Sequence, residues 1–440
     1  MRLSVIGCGY LGAVHAACMA ELGHDVVGVD VDEAKIAALA AGRPPFHEPG
    51  FAEILERAVA SGRLRFTTDV AEAADAQVHF IAVGTPQRPD GQAADLTYVD
   101  AAVTALLPHL RATTEDGPVL VVGKSTVPVG TAEQIAERIA PTGARLVWNP
   151  EFLREGYAVK DTLDPDRIVY GVSQDPAGEE AAAVLDEVYA DQLRRQTPRL
   201  VTDMATAQLV KVAANAFLAT KISFINAMAE ICEVTGADVT QLATAIGYDE
   251  RIGKLFLKAG VGFGGGCLPK DIRAFAARAE ELGRGEAVRF LHEVDAINLR
   301  RRARVVALSE ELLGGSVEGA RIAVLGATFK PNSDDLRDSP ALDVASRLHG
   351  LGARVVVTDP EGLGNVARAH PELELAEDAH SAAQGADLVL LLTEWREYVM
   401  LDPAEFGEVV AHRRVIDGRN VLDPAKWRAA GWEYRGLGRS

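Results

Sequence analysis

One short stretch of this chain has residue types and spacing suited to covalent chemistry: Gly260-Val261-Gly262-Phe263-Gly264-Gly265-Gly266-Cys267-Leu268-Pro269-Lys270-Asp271. Five glycines within seven residues are entropically costly to order, which suits a backbone bent tightly around a ligand. Past Cys267, Pro269 fits a first helical turn, and Ile272, Phe275, Ala276, Ala279 and Leu282 recur as an apolar stripe. Cys267 then falls at a helix N-terminus with Lys270 close by, and both features favour thiolate over thiol. Such a thiolate is a nucleophile, and Asp271, one turn on, could accept a proton or orient water. The plain alternative is a small buried cysteine, the usual fate of a free one. Cys8, Cys18 and Cys232 keep that plain reading.

A second constellation is Gly7-Cys8-Gly9-Tyr10-Leu11-Gly12, between the apolar run Arg2–Ile6 and a helical pattern. A lone G-x-G-x-x-G is weak, but Asp30 ends the next apolar run, Asp25–Asp30, which completes a βαβ dinucleotide fingerprint. Gly7 permits the tight turn, Gly9 lets a pyrophosphate approach the backbone, and Gly12 allows helix and sheet to pack closely. The helix N-terminus favours the phosphate charge. Asp30 would accept from ribose hydroxyls and repel a 2′-phosphate, and Val31 adds no compensating charge, so NAD is expected rather than NADP.

Two carboxylates and a polar pair share the helical spacing of four. Lys211 and Asn215 lie on one face of a long helical pattern; Glu151 and Glu155 follow Asn149 and Pro150, which could cap and open a short helical turn. Taken alone, these read as a solvated lysine, an incidental asparagine and two surface glutamates.

The elements that must carry these groups form an α/β protein. Further strands are expected at Val78–Val83, Val119–Val122 and Leu146–Asn149, giving a doubly wound domain over residues 1–200. Residues 203–232 contain good helix formers with no Gly or Pro and read as one long spine helix. Helical patterns continue to about Leu313, so residues 201–313 are a central helical region, expected to form an oligomer interface. At Arg321 the βαβ pattern restarts, and residues 314–440 form a second Rossmann-like domain. Its first turn, Gly326-Ala327-Thr328-Phe329-Lys330, lacks the fingerprint and suits a dinucleotide less well.

Composition narrows the functions. The chain has 440 residues, 48% hydrophobic and 25% charged, with net charge −18, a poor match to sequence-independent nucleic-acid binding. Four scattered cysteines without C-x-x-C exclude a disulfide scaffold, zinc ribbon or thioredoxin motif, and point to reduced thiols in the cytoplasm. The ten histidines show no metal-ligand spacing. No signal-peptide pattern opens the sequence, and no apolar run approaches 18 residues, so no membrane partner is expected. Arg300, Arg301, Arg302 and Arg304 read as a solvated helix face.

The sequence resembles the UDP-glucose/GDP-mannose dehydrogenases. The matching motifs are GCGYLG (7–12), VGTP (83–86), STVPVGT (125–131), NPEFLREG (149–156), KVAANAF (211–217), DERIG (249–253), FLKAGVGFGGGCLPKD (256–271) and FKPNSDDLRDSP (329–340). The resemblance implies a four-electron oxidation of a nucleotide sugar at C6 with two NAD⁺ and one water, through a thiohemiacetal and a thioester on Cys267. It implies that Lys211 and Asn215 bind the developing oxyanion, that Glu151 is base or water activator, that Thr126 lies near the reacting hydroxyl, and that Asp271 accompanies the nucleophile. For NAD it implies Gly7, Gly9, Tyr10, Leu11, Gly12, Asp30, Lys35, Thr85, Thr126, Glu155 and Arg337. For the sugar nucleotide it implies Phe152, Leu153, Glu155, Lys211, Asn215, Phe256, Lys258, Gly264, Phe329, Lys330 and Arg419, with Arg251 crossing from the partner of a homodimer or higher oligomer. UDP-glucose is the expected substrate, with GDP-mannose or a UDP-N-acetylhexosamine as the alternative. The departures are small: Leu11 stands where the family often has Val, and Gly266 where it often has Ser. A two-electron hydroxyacid dehydrogenase would share the NAD domain without needing Cys267, and a non-catalytic sensor would not need Lys211, Cys267 and Asp271.

Overall fold

A computed structural model describes Met1–Arg439, and the chain divides into two compact units, Met1–Ala214 and Asn215 to the C-terminal end. In the first unit, the central strands are short runs that are apolar on both faces, and the edge strands are more exposed. The strands are β1 (Arg2–Ile6), β2 (Asp25–Val29), β3 (Leu64–Thr67), β4 (Val78–Ile81), β5 (Thr113–Thr114), β6 (Gly117–Pro118), β7 (Leu120–Gly123), β8 (Arg145–Trp148), β9 (Ile168–Val172) and β10 (Arg199–Asp203). β5 and β6 make a separate hairpin; the other eight form one sheet in the order β10-β9-β8-β7-β4-β1-β2-β3. Its pairs are parallel except the antiparallel bridge between β8 and β9. β1 lies between β2 and β4, where the strand order reverses, and ligands bind at such a switch point beyond the strand C-termini. The helix Tyr10–Glu21 starts there, directly after the glycine turn.

The second unit opens with helices, of which Val239–Gly247, Leu268–Glu281 and Phe290–Leu312 precede its sheet. That sheet holds β11 (Arg321–Leu325), β12 (Arg354–Thr358), β13 (Glu374–Leu375), β14 (Leu388–Leu391), β15 (Arg414–Asp417) and β16 (Glu433–Gly436). It is wholly parallel, in the order β13-β12-β11-β14-β15-β16. Both units therefore carry a doubly wound sheet, and the expected spine is one helix, Met204–Thr235, of 32 residues.

The second unit's first turn differs from the first unit's in a way that the sequence only hinted at. Gly326 takes φ +100, but the amides of Ala327 and Thr328 donate to Asp359 Oδ2 at 2.8 and 3.0 Å. Thr328 Oγ1 and Trp395 Nε1 donate to the same oxygen, and Asp359 is buried. Asp30 takes one amide of the first turn in the same way, but Asp359 also takes a second amide, a hydroxyl and an indole N–H, so fewer donors of this turn stay open to a phosphate.

The arginine cluster corrects the expectation of a solvated face. Arg301 and Arg302 side chains are 1% and 4% exposed. Arg301 pairs with Glu233 at 2.8 Å, and Arg302 with Asp338 at 2.8 Å while donating to the Phe263 carbonyl. Arg300 is half exposed beside Glu293, and Arg304 is partly exposed between Glu233 and Glu311. The acidic partners of Arg301 and Arg302 lie tens of residues away along the chain, so charge counting within one helix could not reveal them. Removing one partner of a buried pair strands the other, so Arg301→Ala is expected to lower the unfolding free energy by about 3 kcal/mol. Arg300→Ala is expected to cost less than about 0.5 kcal/mol; urea denaturation of the two variants makes the comparison.

Candidate active site

In the first unit the glycine turn has the shape its sequence requires. Gly7 takes φ +93, and a Cβ there would meet Val83 Cγ1 at 2.6 Å. A Cβ on Gly12 would lie 1.8 Å from the Gly7 carbonyl oxygen. Gly9, the N-cap of the helix Tyr10–Glu21, is different: nothing lies within 4 Å of its would-be Cβ. The turn thus keeps an opening beside free helix N–H groups, which is what a pyrophosphate needs. Asp30 accepts from the Cys8 amide at 2.8 Å, the Asp32 amide at 3.0 Å and Lys35 Nζ at 2.9 Å. A carboxylate has about four acceptor positions, so one remains for a ribose hydroxyl. These residues fit NAD. Tyr10 turns its hydroxyl onto Glu48, which also accepts from the amides of Gly156 and Ala158, so the turn is tied to the segment that carries Glu155. Leu11 packs against the core, and Thr85 donates to the Thr126 carbonyl at 2.8 Å.

The segment after β8 departs from the expected helical turn. Residues 151–154 are not helical, and the next helix begins at Ala158. Asn149 does not cap it: Asn149 Oδ1 accepts from Tyr189 Oη at 2.6 Å and Lys124 Nζ at 3.2 Å, both buried. Glu151 instead holds the backbone itself, its Oε1 accepting from the amides of Phe152 and Leu153 at 2.7 and 3.0 Å. Its Oε2 pairs with Lys124 Nζ at 3.0 Å. Burial would raise this carboxyl, but the Lys124 charge and hydrogen bond, the Phe152 amide and the Lys211 charge outweigh burial and hold it below its ordinary value. Glu151 is therefore a carboxylate at neutral pH. Lys211 Nζ lies 5.6 Å from the centre of the Phe152 ring, whose other cation is Arg167 at 3.9 Å. Thr126 and Leu153 are half-buried and Glu155 is buried.

In the second unit Cys267 is exposed and is the N-cap of the helix Leu268–Glu281, whereas Cys8, Cys18 and Cys232 are buried. Burial pushes the Cys8 and Cys18 thiols far up, which keeps them inert. The Asp271 amide donates to the Cys267 carbonyl. Asp271 is buried, with Oδ2 accepting from Asn215 Nδ2 at 2.6 Å and Oδ1 from Lys270 Nζ at 2.5 Å. A carboxylate only accepts, so this contact orients the Asn215 amide and leaves its second N–H for another acceptor. Lys270 turns toward Asp271, so its charge enters the site through that pair.

The glycines before Cys267 are required by the protein's own packing. Would-be Cβ atoms on Gly260, Gly262, Gly264, Gly265 and Gly266 lie 2.6 Å from Gly418 O, 2.4 Å from Asn298 Oδ1, 2.2 Å from Asp338 O, 2.7 Å from the Phe329 ring and 2.3 Å from the Arg337 guanidinium. These contacts are a packing reason for the glycines, beside the expected one of a backbone bent around a ligand. Asn298 closes both polar groups of Phe263, accepting from its amide at 2.7 Å and donating to its carbonyl at 2.9 Å. Arg419 donates to the carbonyls of Leu392, Gly262 and Phe329 and pairs with Glu394, leaving two of its five N–H groups. Arg337 pairs with Asp335, Lys330 Nζ lies 5.1 Å from the Phe329 ring, and Lys258 and Arg251 are exposed, Arg251 beside Asp249. Phe256 adopts φ +62.

Sequence reasoning missed Lys124, Asn298 and Arg302. Lys124 carried a signal, a lysine at the end of an otherwise apolar strand run; the other two carried none without their partners.

The glycine turn, the exposed thiol at a helix N-terminus and the fixed amide–carboxylate pair together define an NAD-dependent dehydrogenase. Sequence models of the UDP-glucose/GDP-mannose dehydrogenase family match in three parts: its NAD binding domain over residues 1–192, its central domain over 205–300 and its UDP binding domain over 323–424. The chain belongs to this family. It is 43% identical over 444 residues to a UDP-glucose 6-dehydrogenase of Rhizobium meliloti (strain 1021), covering 100% of both chains. It is 41% identical over 454 residues to a UDP-glucose 6-dehydrogenase of Pseudomonas aeruginosa, covering 100% of this chain and 98% of that one. A solved UDP-glucose dehydrogenase from Pyrobaculum islandicum is 41% identical, with a TM-score of 0.90, 100% of this chain and 98% of that chain covered. A UDP-D-ManNAc dehydrogenase from Pyrococcus horikoshii is 26% identical, with a TM-score of 0.86, 100% of this chain and 99% of that chain covered.

The two glycines of the turn are expected to separate under substitution. Gly12→Ala should lower the melting temperature of the unliganded protein and abolish NAD binding, because its Cβ has no room. Gly9→Ala should melt as the parent does and lose NAD affinity tenfold or more, on the order of 1.4 kcal/mol. Thermal melting with and without NAD, and NAD titration, check both.

Proposed function

We propose that this chain oxidises the C6 hydroxymethyl group of UDP-glucose to a carboxylate, as the names of the relatives at about 40% identity suggest. The observation that carries the reading is the exposed Cys267 at the end of a glycine run, one turn before a buried Asp271 that orients Asn215. NAD bound at the glycine turn supplies the hydride acceptor in each of two oxidations. In the first oxidation a base takes the C6 hydroxyl proton and C6 gives up a hydride, leaving the aldehyde, while Lys211 and Asn215 donate to its oxygen as charge develops on it. The Cys267 thiolate adds to the aldehyde carbon, forming a C–S bond, and the alkoxide takes a proton. Loss of hydride and that proton leaves a thioester. Glu151 orients and deprotonates the water that adds to the thioester, and Thr126 serves near the reacting hydroxyl; the C–S bond breaks and the thiolate returns. A covalent intermediate keeps the aldehyde from leaving between steps.

We assign residues 1–200 to the cofactor, 201–313 to the nucleophile and dimer contact, and 314–440 to the sugar nucleotide. Within these, Tyr10, Leu11, Lys35, Thr85, Glu155 and Arg337 serve the cofactor side. Phe152, Leu153, Phe256, Lys258, Gly264, Phe329, Lys330 and Arg419 serve the substrate side. A nucleophile that must stay a thiol needs a reducing compartment, which favours the cytoplasm.

The helix Met204–Thr235 exposes Phe217 (66%), Phe224 (49%) and Ile231 (55%), spaced by seven residues on one face. That is the spacing of a helix seam, and we assign a second copy of the chain to it, with Arg251 reaching the neighbouring site. The helix is also long and apolar enough to cross a bilayer by length and composition alone, but its buried face carries Asn215, Ser223 and Asn226.

Turnover should yield two NADH per UDP-glucose, and GDP-mannose and UDP-N-acetylhexosamines should yield little; NADH absorbance with each nucleotide sugar decides the substrate. Cys267→Ser should bind NAD normally and form no acid, and mass spectrometry of the stalled parent enzyme should find the sugar attached at Cys267. Normal acid production by that variant would refute the covalent route. Phe224→Lys should shift the assembly toward monomer in light scattering and reduce activity with it.

A further inference from the structure

Adjacent strands β7 and β8 end in the same way. Each sends a buried polar side chain inward, Lys124 and Asn149, two residues before a group assigned to the reaction, Thr126 and Glu151. Lys124 is 4% exposed, and its three ammonium hydrogens face three acceptors: Glu151 Oε2 at 3.0 Å, Asn149 Oδ1 at 3.2 Å and Tyr189 Oη at 3.4 Å. Asn149 is fixed in turn by Tyr189 at 2.6 Å and by donating to the Val169 carbonyl at 3.0 Å. The rings of Phe80 and Tyr189 flank the ammonium at 5.7 and 5.9 Å.

Acceptor counting then shows what is left of Glu151. Two backbone amides occupy Oε1 and Lys124 occupies one position on Oε2, so the one open lone pair is on Oε2. We propose that Lys124 is a positioning residue for Glu151, a buried counter-ion that keeps this carboxylate ionised and aims its one open lone pair at the attacking water. The proposal rests on the role given to Glu151 above. Around the pair, Lys211 is a second cation acting on Glu151. Burial, and then the Lys124 charge, keeps His15 neutral; burial, and then Glu151, keeps the Tyr189 hydroxyl and the Cys18 thiol protonated.

The sign follows from the geometry. Glu151 works ionised, and its folded value lies below the ordinary one, so activity should fall only as pH drops through that lowered value. Without Lys124, burial acts with less opposition and the acid limb moves to higher pH. The test is the pH dependence of kcat for UDP-glucose oxidation by the full chain, with melting temperature and NAD affinity as controls. Lys124→Met is expected to lower kcat about tenfold at neutral pH and to raise the acid limb by about one pH unit or more, with little change in KM. Tyr189→Phe should move the limb the same way by less. Glu151→Gln should lose about a hundredfold or more, and adding Lys124→Met to it should cost little further. A folded Lys124→Met with the parent's acid limb overturns the proposal even if Glu151→Gln is inactive. A Glu151→Gln enzyme with parental turnover instead overturns the role of Glu151. If Lys124→Met does not fold, an unmoved limb in Tyr189→Phe overturns the proposal. A merely structural lysine would lower the melting temperature without moving the limb.

Discussion

The close approach of remote backbone and side chains to residues 260–266 is the constraint on which the second unit's chemistry rests. Each of the five glycines there has a neighbour where a side chain would be, and the neighbours come from distant parts of the unit: Asn298, Phe329, the 337–338 segment and Gly418. Asn298, Arg302 and Arg419 add hydrogen bonds to the loop's own carbonyls and amides, so a segment of low intrinsic order is fixed from several sides. The helix that follows starts at a defined place, Cys267 becomes its cap, and Asp271 comes within reach of Asn215. The entropy cost of ordering five glycines places the thiol.

The first unit reaches a comparable rigidity by charge. Its cofactor turn is held by backbone geometry, but the groups at the ends of β7 and β8 are held by a buried ammonium whose hydrogens are all matched. Burial of an unmatched ammonium would be costly, and the matched one costs far less. The same rule governs Arg301 and Arg302 in the second unit. A chain with net charge −18 thus holds several of its cations inside as structural ties, while Lys258 and Arg251 stay at the surface.

Much of this was legible in the sequence. Period and glycine placement gave both doubly wound sheets, the spine helix and the cap position of Cys267, because these depend on neighbours close along the chain. Asp30 and the glycine turn were legible for the same reason. The Asn149–Glu155 segment was misread as a helical turn because Asn149 is drawn to Tyr189 and Lys124, partners that local spacing does not show. The glycines of residues 260–266 were legible but their packing partners were not, since packing by remote segments and bending around a ligand leave the same mark in a sequence. Arg301, Arg302 and Asn298 were illegible: a buried, paired arginine and a solvated one look alike until the fold brings an acid to one of them.

Asp359 has a consequence for how the two ligands are gripped. With a built-in anion holding the Ala327 and Thr328 amides, those two dipoles are closed to a uridine diphosphate, which on the assignment proposed above meets lysine and arginine side chains instead. Dipoles of a rigid turn feel dissolved ions weakly, whereas solvated side-chain charges are shielded by them. Brine should therefore loosen the sugar nucleotide well before it loosens the dinucleotide, so that one protein would carry a salt-tolerant socket and a salt-sensitive one.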